Sequence, residues 1–93
     1  IPPDAVILDL RSKAAFQGWH YPDALFLDFP NALRAYGELE AGRTYVLYCE
    51  FGLKSGHLAE LMQRRGLDAR HFAGGLKALI AYAKQRGLTT PEF

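Results

Sequence analysis

Residues 45–55 read YVLYCEFGLKS, an apolar run that ends in a cysteine and continues into a short loop with one glycine. The run predicts a strand from Thr44 to Cys49, because strands buried on both faces of a parallel sheet are nearly continuous in apolar residues. A helix is predicted to begin at Ser55. A strand, a glycine-containing loop and a helix N-terminus together form a cradle of N–H groups that binds anions. Cys49 is therefore a candidate nucleophile, held as its thiolate.

The rest of the chain alternates short apolar runs with segments of helical spacing. Further strands are predicted over residues 5–10, 24–27 and 69–72. Helices are predicted over residues 12–17, 28–36, 55–65 and 76–86. This alternation predicts an α/β fold, with a small parallel sheet of four to five strands and helices on both faces. Ligands of such sheets bind beyond the carboxyl ends of the strands, which is where Cys49 is placed.

Length and composition limit the class of protein. The chain has 93 residues, of which 49% are hydrophobic, as expected for a folded globular unit with a single core. Residues 1–88 are predicted to form one domain, and residues 89–93 a tail or linker. The net charge of +1 gives no strong attraction to nucleic acid or to anionic membranes, so direct binding to either is not expected.

Cys49 is the only cysteine of the chain. A single cysteine excludes an internal disulfide framework and a cysteine-rich zinc site, and a free thiol fits a reducing compartment. We therefore expect a cytoplasmic protein. No stretch approaches the roughly 18–20 continuous apolar residues of a membrane-spanning helix.

Three segments of this sequence resemble the rhodanese-like sulfurtransferase family. Asp9 and Arg11 follow the first predicted strand as an Asp-x-Arg pair, and Gly74-Gly75 lies near the end of the chain. Between them, the segment from Cys49 to Ser55 resembles the active-site loop of the family. The run over residues 49–60 also resembles the C-terminal rhodanese domain of tRNA 4-thiouridine synthetases.

This resemblance implies a mechanism and a set of site residues. Cys49 would accept a sulfane sulfur from thiosulfate or a persulfide donor, and would pass it to a thiol or to a partner protein. The loop cradle would consist of Glu50, Phe51, Gly52, Leu53, Lys54 and Ser55. The loop from Cys49 to Lys54 has six residues, a length that in this family fits sulfur transfer, whereas a loop one residue longer fits phosphatases. Neither a metal nor an organic cofactor is expected, and other domains of a larger sulfur-transfer enzyme are candidate partners.

Two other functions stay open. The same cysteine loop could serve a phosphatase or an arsenate-reductase-like enzyme, although the loop lacks the arginine that binds oxyanions through two parallel hydrogen bonds. The domain could also be a catalytically silent interaction module, although such a module has no need of Cys49. A cysteine after an apolar strand can also be a small buried hydrophobe.

Several side chains have both a structural and a functional interpretation. Lys54 is expected to help the loop amides hold the thiolate of Cys49. Ser55 is expected to cap the helix rather than to donate a proton. A structural role is favoured for four polar or titratable side chains, namely Asp9, Arg11, His20 and His71. His57 is expected to be solvated. Two aromatic residues could equally line the mouth of the site or cover the core, namely Trp19 and Tyr21.

Overall fold

The computed structural model describes residues 1–91, in which strands and helices alternate along the chain. The strands are β1 (Val6–Asp9), β2 (Leu25–Phe26), β3 (Thr44–Tyr48) and β4 (Asp68–His71). The helices are α1 (Lys13–Gly18), α2 (Phe29–Ala35), α3 (Leu53–Arg64) and α4 (Gly75–Gln85), with a 3-10 turn at Tyr36–Glu38 after α2. The predicted α/β class is confirmed.

The four strands form one parallel sheet in the order β2-β1-β3-β4. Strand β3 lies inside the sheet, where Ile7 of β1 pairs with Val46 and Leu47 pairs with His71 of β4. Because all strands run the same way, their carboxyl ends meet at one edge. Cys49 follows the last residue of β3 and therefore lies at this edge, as predicted.

Helices cover both faces of the sheet, as the alternation of the sequence predicts. Leu47 packs in one apolar cluster with Leu58 and Met62 of α3. The next residue, Tyr48, points to the opposite face and packs with Leu79 and Ala83 of α4. Successive side chains of a strand point to opposite faces, so the following residue returns to the α3 side. Cys49 accordingly belongs to the cluster formed with α3.

The N-termini of α1 and α2 are capped by side chains. Ser12 Oγ accepts a hydrogen bond from the N–H of Ala15, and Asp28 Oδ1 accepts one from the N–H of Asn31. These side chains satisfy N–H groups that have no partner within the helix. Helix α3 differs, because it begins at Leu53 after Gly52 and not at Ser55. Gly52 has a φ of 87°, a left-handed conformation that turns the loop into the helix two residues earlier than predicted.

A buried polar network connects β1 to β3. The guanidinium of Arg11 donates to both carboxylate oxygens of Asp9, with an Nη2–Oδ2 distance of 2.8 Å, and also to the carbonyl of Trp19. The hydroxyl of Tyr48 donates to the same Oδ2. Burial and the hydrogen bond to Asp9 raise the pKa of Tyr48 far above its usual range, so the phenol stays a donor. The structural role predicted for the Asp9–Arg11 pair is confirmed.

The two aromatic residues of uncertain role belong to the core. Tyr21 is buried and Trp19 is partly buried, and both pack in the cluster that includes α4. The indole N–H of Trp19 also donates to the carbonyl of Thr89 across 3.0 Å. The prediction of a tail over residues 89–93 stays a prediction, and residues 92–93 lie outside the described part of the chain. Within residues 1–91, none of the helices has the length and apolar character needed to cross a bilayer.

Candidate active site

The thiol of Cys49 lies at the base of a loop that connects β3 to α3. The side chain is 4% exposed, and the loop folds over it before α3 begins. The N–H of Gly52 lies 3.2 Å from Sγ and the N–H of Ser55 lies 3.3 Å from it, and both donate to the sulfur. The hydroxyl of Ser55 is 3.4 Å from Sγ. Two N–H groups of the loop thus donate to the sulfur itself, and binding of a substrate by the six loop residues stays a prediction.

These donors favour the charged form of the thiol. Burial raises the pKa of Cys49, but hydrogen bonds from the Ser55 hydroxyl and from the N–H groups of Ser55, Gly52 and Phe51 lower it. The hydrogen bonds prevail, and the pKa lies below the ordinary value for a cysteine. A lowered pKa increases the fraction of thiolate at neutral pH, and the thiolate is the nucleophilic form.

Lys54 lines the cleft beside the loop. Its Nζ lies 5.8 Å from the centroid of the Phe29 ring, at the rim of the cleft beside the loop. The largest contributions that lower the pKa of Cys49 come from the hydroxyl of Ser55 and from the amide donors of the loop. A role of Lys54 in holding the thiolate stays a prediction.

Ser55 is not the helix cap that the sequence predicts. It is the third residue of α3, and its side chain is fully buried. Because the left-handed Gly52 starts the helix early, the hydroxyl of Ser55 turns inward to the loop. Its Oγ lies 3.4 Å from the carbonyl oxygen of Gly52 and 3.1 Å from Nδ1 of His71, in addition to its contact with Cys49.

The contact between His71 and Ser55 was missed by the sequence interpretation, which gave His71 a role in the fold alone. The signal that could have revealed it is the register of the sheet. His71 pairs with Leu47, two residues before Cys49, so both side chains stand near the same carboxyl edge. A single sequence gives the strand positions but not this pairing, and the contact therefore depends on the structure.

Two glycines allow a second segment to press against the loop. A Cβ on Gly52 would lie 2.2 Å from the carbonyl oxygen of Ala73, and a Cβ on Gly75 would lie 2.3 Å from that of Glu50. Both glycines have positive φ, 87° and 71°. The N–H of Leu76 also donates to the carbonyl of Glu50 across 2.9 Å. The turn after β4 thus holds the loop in shape, and Gly52 allows both the left-handed backbone and the close approach of Ala73.

A cleft of about 520 Å³ opens between the loop and the N-terminus of α2. Its lining includes Cys49 at the base and, around it, Leu10, Phe29, Pro30, Glu50 and Lys54. Two apolar side chains on the rim are almost fully exposed, Phe51 at 79% and Leu53 at 80%. Glu50 is exposed as well, so these three side chains of the loop project outward. The cleft is far larger than a single sulfur atom requires.

The other histidines take no part in the thiol site. The ring of His20 stacks on Phe16 with a centroid distance of 3.8 Å, and its Nδ1 contacts the carbonyl of Phe16. His57 is exposed, as predicted, with its ring 6.3 Å from that of Phe29. Among residues 1–91, no three acidic, histidine or cysteine side chains are grouped as metal ligands would be.

Comparison with known families agrees with this geometry. The sequence matches the Rhodanese-like domain family over residues 2–82. The chain belongs to this family. The match includes all four strands, the Cys49 loop and most of α4. For this rhodanese-like domain, the family resemblance drawn from the Asp9–Arg11 pair, the loop and Gly74-Gly75 is confirmed.

Relatives and solved structures extend the comparison. The rhodanese-like domain is 41% identical over 69 residues to a tRNA sulfurtransferase of Thermoplasma acidophilum, covering 74% of this chain and 14% of that protein. It is 38% identical over 66 residues to a tRNA sulfurtransferase of Thermoplasma volcanium, covering 71% of this chain and 13% of that protein. The chain thus spans about a seventh of the length of these relatives.

A solved structure shows the same fold. The crystal structure of a rhodanese-related protein from Thermoplasma volcanium superposes with a TM-score of 0.77 at 19% identity, covering 92% of this chain and 82% of that one. This likeness concerns the fold. Together, the family and the named relatives support sulfur transfer as the general chemistry of this rhodanese-like domain.

Proposed function

We propose that this domain is a sulfurtransferase or sulfur carrier in which Cys49 holds the transferred sulfur as a persulfide. The observation that carries the proposal is the position of Cys49 Sγ, which receives N–H donors from Gly52 and Ser55 and has a lowered pKa. A thiolate held in this way at the base of an open cleft is a nucleophile that a sulfur donor can reach.

The proposed reaction has two displacements at sulfur. The thiolate of Cys49 attacks the outer sulfur of thiosulfate or of a donor persulfide, forming one S–S bond while the donor's S–S bond breaks. The donor leaves as sulfite or as a thiolate, and Cys49 becomes a persulfide. An acceptor thiolate then attacks the outer sulfur of this persulfide, and Cys49 returns to its thiolate. The steps transfer neutral sulfur, so they need neither an external oxidant nor a reductant.

The loop residues divide into two roles in this proposal. The N–H groups of Phe51, Gly52 and Ser55 stabilise the thiolate and then the negative charge of the persulfide, since amide donors bind anionic sulfur. Glu50, Leu53 and Lys54 stand around the opening and contact the donor or the acceptor. Preorganised donors are effective because they need no rearrangement as the charge moves.

The acceptor thiol must come from outside this chain or from another domain, because Cys49 is the only cysteine here. The exposed Phe51 and Leu53 favour a donor or acceptor on a protein, since thiosulfate needs no apolar rim. We propose that residues 1–88 act as one domain in a cytoplasmic sulfur-transfer system. The relatives are named tRNA sulfurtransferases; if this domain serves a similar system, its near-neutral charge assigns RNA binding to another domain.

Intact-mass measurement tests the proposal. The protein is incubated briefly with thiosulfate or with a low-molecular-weight persulfide, and the Cys49→Ser variant is treated in parallel. We expect the wild-type protein to gain one sulfur atom and to lose it on reduction. The Cys49→Ser variant should gain none. If neither donor loads a protein whose thiol reacts fully with iodoacetamide, the carrier function is wrong, and assays for phosphatase activity come next.

A further inference from the structure

An unbroken line of polar contacts leads from strand β4 to the sulfur of Cys49. Nδ1 of His71 lies 3.1 Å from Oγ of Ser55, and this Oγ lies 3.4 Å from Sγ of Cys49. Ser55 is fully buried, so its hydroxyl exchanges no hydrogen bonds with bulk water. The direction of its one proton is therefore decided by its three protein neighbours.

These neighbours compete for the proton of Ser55. A hydroxyl donates one hydrogen bond, and the sulfur of Cys49, the carbonyl of Gly52 and Nδ1 of His71 are all within reach. The carbonyl of Gly52, which also accepts the N–H of Gly56 at 3.1 Å, is a neutral acceptor and competes less well for the proton than a thiolate does. The choice that matters for chemistry is thus between the imidazole and the sulfur.

We propose that His71 is a positioning residue for Cys49, which donates from Nδ1 to Ser55 and thereby directs the hydroxyl proton of Ser55 onto the sulfur. When Nδ1 carries a proton, it cannot accept one, and Ser55 Oγ becomes its acceptor. The hydroxyl proton then has the thiolate as its best partner, because hydrogen bonds to a charged acceptor are the stronger ones. This inference rests on the proposed role of Cys49 as the nucleophile.

The imidazole is held in place by two features of the fold. The pairing of His71 with Leu47 fixes its backbone in the sheet beside β3. The ring lies against Gly56, where an added Cβ would be 3.0 Å from Cε1 and 3.2 Å from Nε2. Gly56 is therefore the residue that leaves room for the ring, which gives an independent way to displace it.

The pKa of Cys49 tests the proposal without any sulfur donor. It is obtained from the rate of alkylation by iodoacetamide as a function of pH, for wild type and a set of variants. His71→Phe removes both ring nitrogens. His71→Asn keeps an amide N–H close to the position of Nδ1 and is the conservative control. Ser55→Ala removes the hydroxyl, and the double variant tests whether His71 acts through it.

We expect His71→Phe to raise the pKa of Cys49 and to slow alkylation at neutral pH by up to about tenfold, which corresponds to one pKa unit. His71→Asn should stay close to wild type. Ser55→Ala should raise the pKa at least as much as His71→Phe, and adding His71→Phe to Ser55→Ala should change nothing further. Gly56→Ala, which displaces the ring without replacing it, should shift the pKa in the same direction.

Three results would each overturn the proposal: an unchanged pKa in His71→Phe, equal shifts in His71→Phe and His71→Asn, or additive shifts in the double variant. If His71→Phe fails to fold, a wild-type pKa in Gly56→Ala overturns it and a raised pKa supports it. A sulfur-loading assay run beside these measurements separates the two proposals. If the protein fails to load sulfur but the variants show the expected pattern of Cys49 pKa values, the proposed function is rejected and the role of His71 stands.

Discussion

The hydroxyl of Tyr48 donates to Oδ2 of Asp9 across 2.6 Å, and so connects the residue before Cys49 to the end of the neighbouring strand. The same hydroxyl accepts the N–H of Tyr21 at 3.1 Å. All of these groups are buried. The loop thus starts from a strand end that is fixed from both sides, which helps to keep the donors around the sulfur in position.

Replacing Tyr48 by Phe should destabilise the domain by about 1–3 kcal/mol, the range for leaving buried partners without a hydrogen bond. The variant leaves the N–H of Tyr21 without its acceptor and Asp9 with one donor fewer. Urea denaturation measures the change. Tyr45→Phe is the matched control on the same strand, since its hydroxyl donates to the carbonyl of the exposed residue Glu40. An equal loss in both variants would show that the network with Asp9 adds nothing.

Removing the carboxylate of Asp9 should have a larger effect. Asp9→Ala leaves the guanidinium of Arg11 buried without its counter-charge, for which the typical cost is about 3–5 kcal/mol. Denaturation by urea is again the measurement. The double variant Asp9→Ala/Arg11→Met should recover part of the stability because it removes the uncompensated charge. A double variant less stable than Asp9→Ala would contradict this account.

The stability of the domain should depend on pH through Cys49. The pKa of Cys49 is lowered in the folded state, so ionisation of the thiol stabilises the fold. This contribution is fully present above the pKa of the thiol in the unfolded chain, which is about 8.5. That contribution is lost as the pH falls through the lowered folded pKa. We therefore expect the difference in unfolding free energy between wild type and Cys49→Ala, measured in reductant, to grow from pH 6 to pH 9 by about 1.4 kcal/mol for each unit of lowering. A difference that is constant over this pH range would show that folding does not lower the pKa of Cys49.

Gly52→Ala should damage both fold and site. The substitution places a Cβ in a left-handed backbone and 2.2 Å from the carbonyl oxygen of Ala73. Gly42→Ala is a matched control, because Gly42 has a similar φ of 84° but open space around it. We expect the control to lose about 1 kcal/mol, and Gly52→Ala to lose more and also to raise the pKa of Cys49. Thermal unfolding and alkylation rates check both effects, and similar results for the two glycines would refute the importance of the close approach.

The exposed rim should matter for protein donors only. Phe51→Ser combined with Leu53→Ser should slow sulfur loading from a persulfidated protein several-fold, while loading from thiosulfate stays close to wild type. The control is Leu25→Ser, which changes an exposed leucine on the edge strand β2. The rate of sulfur gain with each of the two donors is followed by mass spectrometry. A parallel loss with both donors would place Phe51 and Leu53 in the chemistry of the thiol instead.

Local patterns predict the fold and the position of Cys49 well, because both depend on the alternation of strands and helices along the chain. The run from Thr44 to Tyr48 and the loop after it are visible in the sequence alone. The orientation of Ser55 is not, since it depends on the left-handed Gly52, which begins α3 early. The same holds for His71, whose contact with Ser55 requires the pairing of β3 with β4.

The close packing of the Cys49 loop against the turn that contains Gly75 has a consequence for how this scaffold can diverge. The carbonyl of Glu50 occupies the space that a side chain at Gly75 would need, and it accepts the N–H of Leu76. A residue added to the loop beside Glu50 would therefore have to be accommodated by this turn. We expect the length of the Cys49 loop and the residue at position 75 to vary together among related chains, although the two stretches are distant in sequence.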